Sequence, residues 1–186
     1  MKTVIEKVTL KKTLLFTAAF AVLYVLINFT SFGMVGLLRI TNGASILDSE
    51  FGYSTAKAYD MLTALGEDGR NFYLFHILPL DAPFPLAGML CFVGWIALLV
   101  KKVAPSSVAR FTILIPLFSL LFDWIENLGA IIMLNTYPSI PELVVYIASV
   151  SGMLKMTFFL GNFAVIVVLL VAFIFKKAKN KCEKER

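Results

Sequence analysis

"SLLFDWIENLGAII", residues 119–132, decides how this chain folds. Leucine, isoleucine, phenylalanine and tryptophan crowd the stretch, yet Asp123, Glu126 and Asn127 sit inside it. Those three stand at i, i+3 and i+4 and share one face of a helix, with Ser119 a turn before them. A charged group at the centre of a bilayer costs at least ~2.5–3.5 kcal/mol. Two carboxylates in so apolar a helix therefore face other helices and not lipid. The segment reads as one membrane-crossing member of a bundle.

Composition agrees with a membrane protein. Of 186 residues, 59% are hydrophobic and 16% charged, and the mean hydropathy is +0.85. Soluble domains average about 25% charged residues, so this chain has too little polar surface to coat a globule in water. The two cysteines, Cys91 and Cys182, are far apart, and His76 is the single histidine. Disulfide redox chemistry, zinc and multi-histidine metal or haem sites are thereby disfavoured, and neither a metal nor a cofactor is expected. No phosphate-binding loop or serine–histidine arrangement supports hydrolysis or ATP use. The net charge of +5 does not indicate nucleic acid, because six of the seventeen Lys and Arg residues lie in the last eleven positions.

A membrane helix needs ~20 mostly apolar residues. The spans are placed at about 13–31, 83–100, 111–135 and 150–175, within a single integral membrane domain covering 1–186. The apolar run containing the last span begins near Leu143 and extends to Phe175. The second span can start as early as Phe72, although Pro79, Pro83 and Pro85 are expected to kink or break its outer end. Lys2, Lys7, Lys11 and Lys12 precede the first span, Lys101, Lys102 and Arg110 follow the second, and Lys176 to Arg186 supply the basic tail. Positive charge marks the cytoplasmic side. The sequence thus predicts an all-α, multi-pass protein of the cell membrane, a four-transmembrane-helix up-down bundle with both termini cytoplasmic. A cleaved signal peptide would also begin with a basic start and an apolar run, but this run is long and no clean small-x-small site follows.

The segment 32–82 becomes an exoplasmic loop. Within it, "STAKAYDMLTALGEDG" predicts a short amphipathic helix. Ser54 or Thr55 caps its start, Ala58, Met61, Leu62 and Leu65 share a face, and Gly66 suits its end. Such a helix lies on the membrane surface or on the end of the bundle, or acts as a lid over a cavity.

Counted from the cytoplasmic ends at ~1.5 Å per residue, the three polar residues of span three lie ~18–24 Å deep, Asn28 ~22 Å, Asn162 ~20 Å, Asp81 ~28 Å and Lys155 ~30 Å. Every span thus places a polar residue in the middle or outer half of the membrane. The candidate ligand-binding or proton-carrying residues are Asp123, Glu126, Asn127, Lys155, Asp81, Asn28 and Asn162. The two acids are expected to share Lys155 and to accept hydrogen bonds from Asn28, Asn127 and Asn162. Lys155 near the outer interface can instead snorkel to water. Two acids and one lysine leave an acid without a cationic partner, so one of the pair is expected to hold a proton near neutral pH.

The combination of "LGEDGRNFYLF", "LDAPFPL", "FDWIENLGAIIML", a following "YP" and a later lysine resembles an uncharacterised bacterial four-helix integral membrane protein family. That resemblance covers most of the chain and rests on Gly69, Arg70, Asp81, Asp123, Glu126, Asn127, Pro138 and Lys155. It implies four spans and names no activity. In architecture alone the chain is also similar to sterol-isomerase-like four-helix proteins, which place intramembrane acids around an amine or carbocation; the cavity histidine of those enzymes has no counterpart unless His76 reaches in.

Three classes of function follow. The first is a module that holds a small amphiphile, cation or lipid, or a proton, against the acids. The second is a membrane enzyme relaying a proton on a lipid-soluble substrate. The third is an accessory or assembly subunit whose polar cluster meets a membrane-protein partner or only ties helices together. Beyond the lipid bilayer itself, the partners expected are a small amphiphile or lipid ligand, or another membrane protein, and no nucleic acid.

Overall fold

The structure is a computed structural model that describes residues 2–103 and 111–184. Arg110 of the basic loop and Arg186 of the tail lie outside the described residues. Among the described residues all regular structure is helical: α1 (Lys2–Lys7), α2 (Leu10–Phe29), α3 (Met34–Ile40), α4 (Thr55–Ala64), α5 (Gly66–Phe72), α6 (Leu78–Asp81), α7 (Phe84–Val103), α8 (Leu114–Thr136) and α9 (Glu142–Lys184), with a 3-10 turn at Leu47–Ser49 and a π-helical turn at Tyr73–Ile77. Four segments are long and apolar enough to cross a membrane: Leu10–Ile40, Gly66–Val103, Leu114–Thr136 and Glu142–Asn180.

The second of these keeps a helical course through its prolines. Pro79 sits in the first turn of α6. The π turn just before it absorbs the change in winding. Pro83 and Pro85 flank the first residue of α7, so the expected break becomes a re-aimed helix in which 66–82 continues into 84–103. Trp124 Nε1 donates to the carbonyl of Ala82 at 3.1 Å, tying α8 to this junction.

The amphipathic helix forms as the spacing predicts. Ser54 Oγ accepts from the Lys57 N–H at 3.3 Å, Ala58, Met61, Leu62 and Leu65 are buried, and Gly66 follows with φ +64°. The buried face joins Leu37, Ile46, Leu47, Tyr53, Tyr73 and Ile77 in one apolar cluster over the ends of α8 and α9. A second cluster at the opposite end gathers Ile5, Ile96, Val100, Ile113 and Leu169. There Lys101 Nζ donates to Glu6 O and Val8 O at 3.3 and 2.7 Å, and Lys176 Nζ to Lys102 O at 2.9 Å. Along α8 and α9 the buried polar residues fall between the two clusters. On α8 the buried positions Pro116, Leu120, Asp123, Glu126, Asn127, Ala130 and Met133 form one stripe, as a 3.6-residue period requires. Much of the outer surface is large and apolar, including Leu15, Phe29, Val168, Ile174 and Phe175.

Candidate functional site

The polar stripe of α8 meets α9 at a single lysine. Lys155 Nζ lies 3.0 Å from Asp123 Oδ1 and 2.7 Å from Glu126 Oε2. It also contacts Asp48 Oδ1. Asp48 comes from the 3-10 turn, where its neighbour Leu47 is fully buried and anchors the loop to the bundle. Asp81, at the end of α6, accepts from Asn127 Nδ2 at 2.6 Å. Three acids thus contact one ammonium, where the sequence led us to expect two, and Asp81 stands beside them on Asn127.

Glu126 reaches this position because α9 offers no side chain opposite it. A Cβ on Gly152 would lie 2.5 Å from Glu126 Oε1. That oxygen has no hydrogen-bond partner, and neither do the buried hydroxyls of Tyr53 and Tyr73. Burial, and secondarily the Glu126 carboxylate, push the Tyr53 phenol above its ordinary value, so it remains a neutral donor. Tyr53 is held by its own N–H, which donates to Ser149 Oγ on α9 at 2.8 Å.

A cavity of about 180 Å³ opens beside the cluster. Asp48, Asp81, Asp123 and Lys155 form one end, while Phe84, Met89, Phe92, Phe159 and Pro116 supply apolar walls. A second cavity, about 230 Å³, shares Asp48, Asp81 and Phe84 with the first and adds Asn127, Asn28 and Ile27. The two acids therefore stand between neighbouring hollows.

Asp123, Glu126, Asn127, Lys155 and Asp81 come together in one network. Asn127 bonds Asp81 and not the acids of its own helix. Asn28 stands apart from Lys155, donating from Nδ2 to the Tyr24 carbonyl at 2.9 Å. Its place is on the wall of the second cavity. Asn162 is fully buried, borders the first cavity, and has no partner at either amide atom. None of the three amides expected to serve the acids of span three thus bonds to them. His76 is exposed and stacks on Phe72, with centroids 4.5 Å apart; it borders neither cavity.

Asp48 is the residue that sequence reasoning missed. It lies in a loop without helical periodicity, and the only signal was its neighbour Leu47 in a polar segment. Asp48, Asp123 and Glu126 each bring an oxygen within 4.8 Å of the others, a spacing that suits a hard cation. The Lys155 ammonium already stands among these oxygens and supplies the positive charge. Comparison with protein-family models, with curated proteins and with solved structures finds no match.

Proposed function

We propose that the chain is an integral membrane protein that holds the cationic head of a small amphiphile or lipid at the cluster formed by Asp48, Asp81, Asp123 and Glu126. The observation that carries this reading is the cavity itself, which has acids in excess of base at one end and aromatic and methionine walls along the rest. Such a hollow matches a molecule with a charged end and an apolar body. In this reading four helices cross the cell membrane up and down, with both termini in the cytoplasm. The basic ends gathered by Lys101 and Lys176 support a common cytoplasmic side, and the large apolar outer surface supports contact with lipid.

Lys155 then acts as a resident counter-ion. It keeps the empty site from carrying uncompensated charges in a medium of low dielectric, and it yields part of its contacts when a ligand cation enters. Mass spectrometry of molecules extracted from the purified protein tests the reading. A cationic amphiphile should co-purify with the wild type and be depleted from the Asp123→Asn, Glu126→Gln double variant. Equal extracts from both would overturn it.

A second reading, proton relay on a lipid-soluble substrate, draws on the partnerless hydroxyls of Tyr53 and Tyr73 and the partnerless oxygen of Glu126. A neutral phenol and a carboxylate can hand a proton to and from a carbon acid or olefin. Chemical conversion of the co-purified amphiphile, lost in Glu126→Gln, would favour it over simple holding.

A further inference from the structure

We infer that the molecule held here carries a second polar group, a hydroxyl or carbonyl, at the end of its apolar body opposite the cationic head, and that Asn162 receives it. The inference rests on the amphiphile-binding reading above and adds the far end of the ligand to it.

Asn162 lies on α9 seven residues beyond Lys155. Two helical turns separate them, about 10 Å along the axis and on the same face. Pro116 stands the same seven residues before Asp123 on α8, and both Pro116 and Asn162 border the first cavity. Two neighbouring helices thus measure the same distance between the acid end of the cavity and the Asn162 end. Phe159, one turn from each of Lys155 and Asn162, and Phe92 of α7 line the space between. Their rings meet nearly edge to face, with centroids 5.6 Å apart.

The Asn162 amide is fully buried, and neither its oxygen nor its nitrogen has a hydrogen-bond partner. Buried amides are nearly always satisfied, because leaving them unpaired forfeits hydration with nothing in return. A helix-tying role would require a partner on a neighbouring helix. The hydroxyls of α2 that face α7 are engaged elsewhere: Thr13 Oγ1 donates to Thr9 O at 3.1 Å, and Thr17 Oγ1 accepts from Trp95 Nε1 at 3.0 Å. The amide offers one acceptor and two donors, so it suits a hydroxyl or a carbonyl and discriminates against a bare hydrocarbon end. A hollow of about 180 Å³ is of the size that takes a benzene-like body. The ligand class is therefore a compact amine with an aryl or short alicyclic body and a distal hydroxyl or carbonyl.

Phenethylamine and tyramine differ only by a para-hydroxyl and serve as probes, with binding to the full-length protein in detergent read by calorimetry. Tyramine should bind about three- to tenfold more tightly, the worth of one hydrogen bond. Asn162→Leu, which fills a similar space without the amide, should abolish that preference, so that the two amines bind the variant alike. Asp123→Asn should weaken both amines alike. Equal binding of the two amines by the wild type would overturn the inference while leaving the cationic-head reading intact, as would a tyramine preference that survives Asn162→Leu. Binding of neither amine would overturn both. Should Asn162→Leu fail to fold, the wild-type comparison of the two amines still decides.

Discussion

Lys155 Nζ of α9 and Glu126 Oε2 of α8 stand 2.7 Å apart, with side chains only 14% and 1% exposed. Removing Lys155 leaves Glu126 buried without its counter-charge, which costs far more than the intact pair contributes, whereas removing Glu126 leaves Lys155 still paired with Asp48 and Asp123. Lys155→Met alone should therefore destabilise the protein, and adding Glu126→Gln should recover much of the loss. A double-mutant cycle read by unfolding in detergent should give a coupling of about 0.5–3 kcal/mol. Strict additivity would show that the two side chains do not interact.

Gly152 is the point of closest approach between α9 and the Glu126 carboxylate. Its missing side chain is what lets the Glu126 carboxylate lie against α9, since a Cβ there would sit 2.9 Å from Glu126 Cδ. Gly152→Ala should lower stability by about 1–3 kcal/mol through overpacking. Combining it with Glu126→Ala, which removes the obstructing carboxylate, should cost less than the sum of the two changes. A melting temperature of Gly152→Ala equal to that of the wild type would refute the contact.

How far the site can be read from the sequence depends on which forces place each residue. The face shared by Asp123, Glu126 and Asn127 follows from helical periodicity alone, and so does the approximate depth of Lys155 across from them. Asp48 obeys no period: it is delivered by the burial of Leu47 beneath a loop, a tertiary contact that no local pattern announces. Asn28 and Asn162 each border a cavity that the acids share, but position along a helix does not fix rotation. Asn28 satisfies itself on the carbonyl one turn back, as polar side chains in apolar helices often do. The prolines of the second span were legible as a disturbance of the helix. Their accommodation was not, because a first-turn proline and a preceding π turn preserve the helical course.

Helix α4 depends on its support. Ten residues are too few to hold a helix in water without packing, and Leu62 of α4 is fully buried against the bundle end. Amides from Ala58 to Leu65 should exchange slowly in a nanodisc, and Leu62→Ala, at a cost of about 2–5 kcal/mol, should speed exchange across α4. Exchange at loop rates in the wild type would contradict the packing.

The proposed orientation has a simple test in the basic tail. Cys182 follows Lys176, Lys177, Lys179 and Lys181, and Cys91 is buried in the bundle. An impermeant thiol reagent should leave Cys182 unmodified in intact cells and label it once the membrane is opened. Labelling in intact cells would reverse the topology.

In the proposed function the acids are kept to hold a ligand and not to hold the fold. Exchanging an excess buried acid for its amide preserves shape and removes a desolvation penalty, so Asp123→Asn and Glu126→Gln should melt at or above the wild-type temperature. The deciding measurement is whether these folded single variants complement a strain lacking the protein. Binding of a cationic head predicts that they fail, since an amide carries no counter-charge. Full complementation by both stable variants would contradict the account and leave the cluster as architecture.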